Sequence, residues 1–173
     1  MNHELGQVPV WQPVLARDLQ AVPAPELTSA ERAELERRAI ELCVQPLRRP
    51  PAQAPDTETA MLAATFAQQA GRVVAFSLAA FRQAFAAGRD LSAIDNVLIA
   101  AAACELHPRA LLKGIESRSV RDRLARATRE AASLGVREVP AIAAAGHLFE
   151  GEHCVEDAAR VLARAAAARD DQR

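Results

Sequence analysis

Tyrosine is absent from this sequence, tryptophan occurs once, and aromatics make up only 3% of its 173 residues. Half of the residues are nonetheless hydrophobic, which excludes wholesale disorder and leaves Ala, Leu, Val and Ile to build the core. An excess charge of either sign is missing too. The 21 basic and 22 acidic residues leave a net charge of −1, so the basic footprint expected of a nucleic-acid or anionic-lipid binder is not there. The longest apolar run, residues 97–104, falls far short of the ~20 residues of a membrane-spanning helix. Residues 1–7 carry neither the basic nor the apolar region of a secretory leader. No nucleic-acid or membrane partner is expected, and the expected location is cytoplasmic.

Motifs that carry chemistry are also scarce. There is no G-x-G-x-x-G, no phosphate-loop lysine and no C-x-x-C. Neither Ser77 nor Ser117 lies in a nucleophile elbow or beside a histidine. Cys43, Cys104 and Cys154 are odd in number and widely spaced, which predicts thiols. Cys43 and Cys104, within apolar helical stretches, read as small core residues. His147, His153 and Cys154 lie close in sequence but lack ligands from a second segment, so no metal site is expected.

What is present is mainly helical pattern. Residues 8–15 alternate as a short strand would, but Pro9 and Pro13 limit it to an edge. Thr28-Ser29-Ala30-Glu31 is a capping box opening a charged helix to about residue 43. Residues 45–55, with four prolines, read as a surface crossing. Asp56 can cap a helix ending at Gly71, and Val74, Leu78, Phe81 and Phe85 share one face of the next. Helices starting near Asp95, Pro108 and Ser119 follow, with His107 at a helix start. The helix from Ser119 sets Val120, Leu124 and Ala127 against an arginine-rich solvated side. Residues 139–144 and 147–150 then read as strands joined by the turn Ala145-Gly146, and an Ala-rich helix over about 155–168 closes the chain.

One segment stands out: Gly135-Val136-Arg137-Glu138-Val139-Pro140, the hairpin, then Phe149-Glu150-Gly151. A proline entering a strand donates no hydrogen bond, which leaves the backbone of Val139 facing a cleft. If the Val139–Pro140 bond is cis, it marks a tight, specific turn, here one opening a hairpin closed near Gly146.

Taken together, these pieces resemble the DsbA-like branch of the thioredoxin superfamily, and within it 2-hydroxychromene-2-carboxylate isomerases and kappa-class glutathione transferases. Trp11-Gln12-Pro13-Val14-Leu15 is similar to the family's second strand. Thr65-Phe66-Ala67, Phe81-Arg82-Gln83-Ala84-Phe85 and Gly88-Arg89-Asp90-Leu91-Ser92 resemble its helical insertion. Gly135-Val136-x-x-Val139-Pro140 and Phe149-x-Gly151, followed by Glu156-Asp157-Ala158, resemble the cis-proline loop, hairpin and final helix. The fold implied is α/β, a single thioredoxin-like domain over 1–173 with an all-helical insertion at about 56–133.

The resemblance implies a glutathione-dependent isomerase of aromatic catabolism. Its cofactor would be glutathione, its partner a small aromatic substrate, and a homo-oligomer is admitted. Glutathione would pair its cysteinyl backbone with Val139, beside Pro140, and set its γ-glutamyl end against Glu152 and His153. Asp56 stands where the family has asparagine at the start of the insertion. Three departures follow. The family's first strand and most of its first helix, with the active-site serine or C-x-x-C, have no counterpart, so the fold reads as N-terminally incomplete and no catalytic residue is assigned. Asp56 and Glu152 put carboxylates where the family presents neutral or complementary groups, so glutathione is expected to bind weakly or not at all. A stable product is expected to be longer by one strand and one helix, about 20–30 residues, unless a partner chain fills the gap. The alternatives are a non-catalytic remnant that binds a partner or small ligand, and a DsbA-type thiol-disulfide oxidoreductase, which the missing C-x-x-C disfavours.

Overall fold

The computed structural model describes residues 8–19, 28–44, 47–48 and 56–170. The chain divides into two compact units, one of residues 1–22 with 126–173, the other of residues 23–125. Most of the surface crossing expected at 45–55 lies outside the described residues.

The second unit is helical. Its first helix, α1 (Ser29–Glu41), opens on a complete capping box: the Glu31 backbone N–H donates to the Thr28 hydroxyl, and the Glu31 side chain accepts from the Thr28 backbone. Two orphan donors at the helix start are thereby satisfied. Cys43 does not join a core as expected. It is exposed, just past the end of α1, in a left-handed conformation at φ 53°.

Helices α2 (Glu58–Gln69), α3 (Val73–Phe81, continued by a π turn at Arg82–Ala86), α4 (Ile94–Ala102) and α5 (Pro108–Glu116) pack around one core. The Asp56 carboxylate accepts the Glu58 backbone N–H at 2.9 Å at the start of α2. His107 does the same for α5, its Nδ1 accepting from the Arg109 N–H. The core consists of Ala60, Ala63, Ala64 and Ala67 on α2, Phe76, Ala79 and Ala80 on α3, and Val97, Ala100 and Ala101 on α4, with Cys104, Leu106 and Leu111. Alanine surfaces let helices approach closely, which is how a chain so poor in aromatics fills its interior. The larger apolar face of α3, formed by Val74, Leu78, Phe81 and Phe85, is left exposed.

The division between the units falls within α6 (Arg118–Ser133), whose Val120, Leu124 and Ala127 are buried while its arginines are exposed. In the first unit, β1 (Ala141–Ala144) pairs antiparallel with β2 (His147–Glu150), and α7 (Cys154–Asp170) packs on both strands. The hairpin turn holds Ala145 at φ 50° and Gly146 at φ 77°, the double positive φ of a type I′ turn.

Residues 8–15 correct the expectation of an edge strand. Among the described residues the sheet has two strands, and 8–15 join no ladder. Pro9 and Pro13 lack donors, Val8 and Val10 lie exposed, and the Leu15 N–H donates instead to the buried Thr128 hydroxyl at 3.1 Å.

Candidate functional site

The site is built at the open end of the hairpin. Past α6, Val136 is buried and anchors the strand approach, while residues 137–140 are exposed. The Glu150 carboxylate, one residue before Gly151, accepts the backbone N–H groups of Arg137 and Glu138 at 2.7 and 2.8 Å through one oxygen. Those two donors, Arg137 first, hold the Glu150 carboxyl below the usual carboxylate range. Register explains the reach. Glu150 stands opposite Ala141, so its side chain falls beside the loop that enters β1. Sequence reasoning assigned Glu150 no role, because the only signal is its position across the hairpin.

The Val139–Pro140 peptide bond is cis. The Pro140 carbonyl accepts the Gly151 N–H at 3.0 Å, which joins the loop to the turn carrying Glu152 and His153. Hydrogen bonds in an antiparallel pair alternate along the strand. With Pro140 bonded inward, Val139 sits in the opposite phase. Among the described residues its N–H and carbonyl enter no hydrogen bond, and its side chain is 42% exposed.

Glu152 and His153 pair with each other, Oε1 to Nε2 at 3.1 Å, and both are exposed. Four of the five residues singled out in the sequence (Val139, Pro140, Glu152 and His153) thus share one end of the hairpin. Asp56 belongs to the other unit, where its carboxylate caps α2. Cys154 begins α7 but is buried, and desolvation pushes its thiol up, as it does for Cys104. Neither is poised as a thiolate. Among the described residues no group of three His, Cys, Asp or Glu could hold a metal ion, and no helix is long and apolar enough to cross a membrane. A shallow hollow of about 280 Å³, lined by Leu134, Ala143, Gly146, His147 and Leu148, lies at the turn, the opposite end of the hairpin. The arrangement at Val139 can do one thing well: pair its free main-chain donor and acceptor with an extended peptide backbone.

A solved structure described as SeMet 2-hydroxychromene-2-carboxylate isomerase (HCCA isomerase) superposes with a TM-score of 0.81, covering 99% of this chain and 88% of that one at 12% identity. At that identity the likeness shows a shared fold. No curated protein matches the sequence. The family model for the DSBA-like thioredoxin domain matches residues 15–163, most of the chain, and the chain belongs to that family.

Proposed function

We propose that this chain is a glutathione-dependent-isomerase type of protein, of the kind that acts on 2-hydroxychromene-2-carboxylate in aromatic catabolism, with only part of a glutathione platform. The reading is carried by Val139, whose backbone N–H and carbonyl stand free beside a cis proline. A cysteinyl backbone could form two main-chain hydrogen bonds there, a neutral interaction that needs no particular side chain.

The γ-glutamyl half does not fit. Glu152 would face a ligand carboxylate with a second negative charge, and His153, already engaged by Glu152, offers no anion to a ligand ammonium. The chain's own contribution is therefore main-chain pairing at Val139, in a loop pinned by Glu150. The Glu152–His153 pair also favours the second reading, a non-catalytic protein that binds a peptide-like ligand weakly.

Calorimetry with millimolar glutathione tests this. Weak binding is expected. It should tighten about tenfold when Glu152→Gln and His153→Asp remove the repulsion and add an anion, a gain of ~1.4 kcal/mol. Val139→Pro, which deletes the donor, should abolish it. Micromolar binding by the unaltered chain would overturn the γ-glutamyl mismatch. Binding indifferent to Val139→Pro would overturn the platform.

A further inference from the structure

Backbone pairing at Val139 is indifferent to ligand charge, because an N–H and a carbonyl offer the same two hydrogen bonds to any extended peptide. Selection has to come from the side chains around it. Three exposed carboxylates, Glu138, Glu150 and Glu152, bracket the open end of the hairpin, and Arg137 and His153 are the basic residues set against them. The whole chain carries a net charge of only −1, so this acidic excess is local. Glu156 and Asp157 follow in the first turn of α7, where the helix N-terminus answers them.

The three carboxylates are not equivalent. Glu150 is committed to the loop through the Arg137 and Glu138 N–H groups. Glu152 pairs with the His153 imidazole, and its side chain stays 70% exposed. Glu138, the neighbour of Val139, enters no hydrogen bond or ion pair through its side chain among the described residues. Its carboxylate lies over Gly151, with Oε1 3.5 Å from where a Cβ on that glycine would stand. Gly151 directly precedes Glu152, and its N–H is held by the Pro140 carbonyl. One carboxylate from the loop and one from the turn therefore flank the same short stretch of backbone.

We infer that Glu138 and Glu152 make this end of the hairpin selective for peptide-like ligands that carry an ammonium or guanidinium group and no carboxylate beside the paired residue. The inference rests on the Val139 platform proposed above and adds a ligand class to it. Like charges brought together in a contact reject a ligand, and opposite charges favour it. Glutathione brings two carboxylates and one ammonium, so its excess charge has the wrong sign. Esterifying both carboxylates keeps the tripeptide backbone and the thiol, and turns the molecule into a cation. Exposed ion pairs are each worth only a few-fold in affinity, so the diester should bind about fivefold to tenfold more tightly than glutathione. Added salt should shrink that advantage, because both carboxylates lie in solvent.

Calorimetry on the 173-residue chain with glutathione diethyl ester beside glutathione, at pH 7 and low ionic strength, tests this. The diester is expected to bind more tightly. Glu138→Gln and Glu152→Gln should each reduce the ratio of the two affinities, and the double variant should bring it to about one. Val139→Pro should abolish binding of both compounds. Equal binding by the unaltered chain, still lost in Val139→Pro, overturns the charge selection and leaves the platform standing. A preference for the diester that survives in the double variant overturns the assignment to Glu138 and Glu152. Diester binding that Val139→Pro leaves intact overturns the platform itself, and the inference with it. So does the failure of both compounds to bind.

Discussion

The Glu150 carboxylate accepts the backbone N–H of Arg137 at 2.7 Å, so the last residue of β2 fixes the loop that delivers Val139 to β1. The Glu138 N–H shares the same oxygen. Two donors left unsatisfied in a tight loop are thereby answered by one side chain from across the hairpin.

This contact predicts a pH dependence. Glu150 is held below the usual carboxylate range in the folded chain by the Arg137 and Glu138 donors. Its stabilisation is therefore fully present above the unfolded carboxylate pKa of ~4.3, and is lost as pH falls through the lower folded value. The site is solvent-exposed, which limits its worth to about 0.5–1 kcal/mol. Glu150→Gln should lower the thermal midpoint at pH 7 by a few degrees, and the gap from the parent chain should close on acidification. A gap that persists unchanged at pH 3 would show that the carboxylate charge plays no part.

The hairpin turn makes a second prediction. Ala145 occupies a left-handed conformation at φ 50° that glycine or asparagine adopts more easily. Ala145→Gly and Ala145→Asn should each stabilise the chain, by about 0.5–1 kcal/mol, as measured by thermal or urea unfolding. Unchanged or lowered stability in both variants would mean that the turn relaxes at no cost.

Local features were legible in the sequence because their causes are local. Thr28 and Glu31 are three residues apart and close their capping box without help from the rest of the chain. Pro108 starts α5, and Gly146 with its neighbour turns the hairpin, for reasons contained within each segment. Residues 8–15 misled because alternation is compatible with any extended chain, whereas a strand needs a ladder partner, and Leu15 bonds instead to a hydroxyl 113 positions away. Glu150 escaped notice for a related reason: its partners are set by hairpin register. Periodicity located the Val74–Phe85 stripe but carries no information on which side of a helix is covered. In α3 the side covered is the one bearing Phe76, Ala79 and Ala80, because alanine permits the closest helix approach.

The thiols should react in a fixed order. Cys43 is exposed, while Cys104 and Cys154 are buried, with desolvation raising both above the ordinary thiol value. A disulfide reagent at pH 8 should modify Cys43 promptly and the other two only at the rate of unfolding. Addition of denaturant should release both buried thiols together with the loss of structure. Prompt modification of two or three thiols in the native chain would contradict this burial.

The packing of α5 against α2 rests on Gly114. A Cβ built at this buried glycine would lie 2.7 Å from the Cε2 of Phe66, with other ring carbons at comparable range. Phe66 is itself packed against the core and cannot swing away freely. Two effects of Gly114→Ala therefore oppose each other. Helix propensity favours alanine by about 1 kcal/mol, whereas overpacking typically costs ~1–3 kcal/mol. The contact is too short to be relieved by small shifts, so the steric term should win, lowering the thermal midpoint by several degrees. The sign makes the measurement decisive, since without the clash the same substitution would raise it. Phe66→Leu, which shortens the opposing side chain, should recover part of the loss in the Gly114→Ala background while destabilising the parent chain on its own. Additive losses in the double variant would show that Gly114 and Phe66 do not constrain each other.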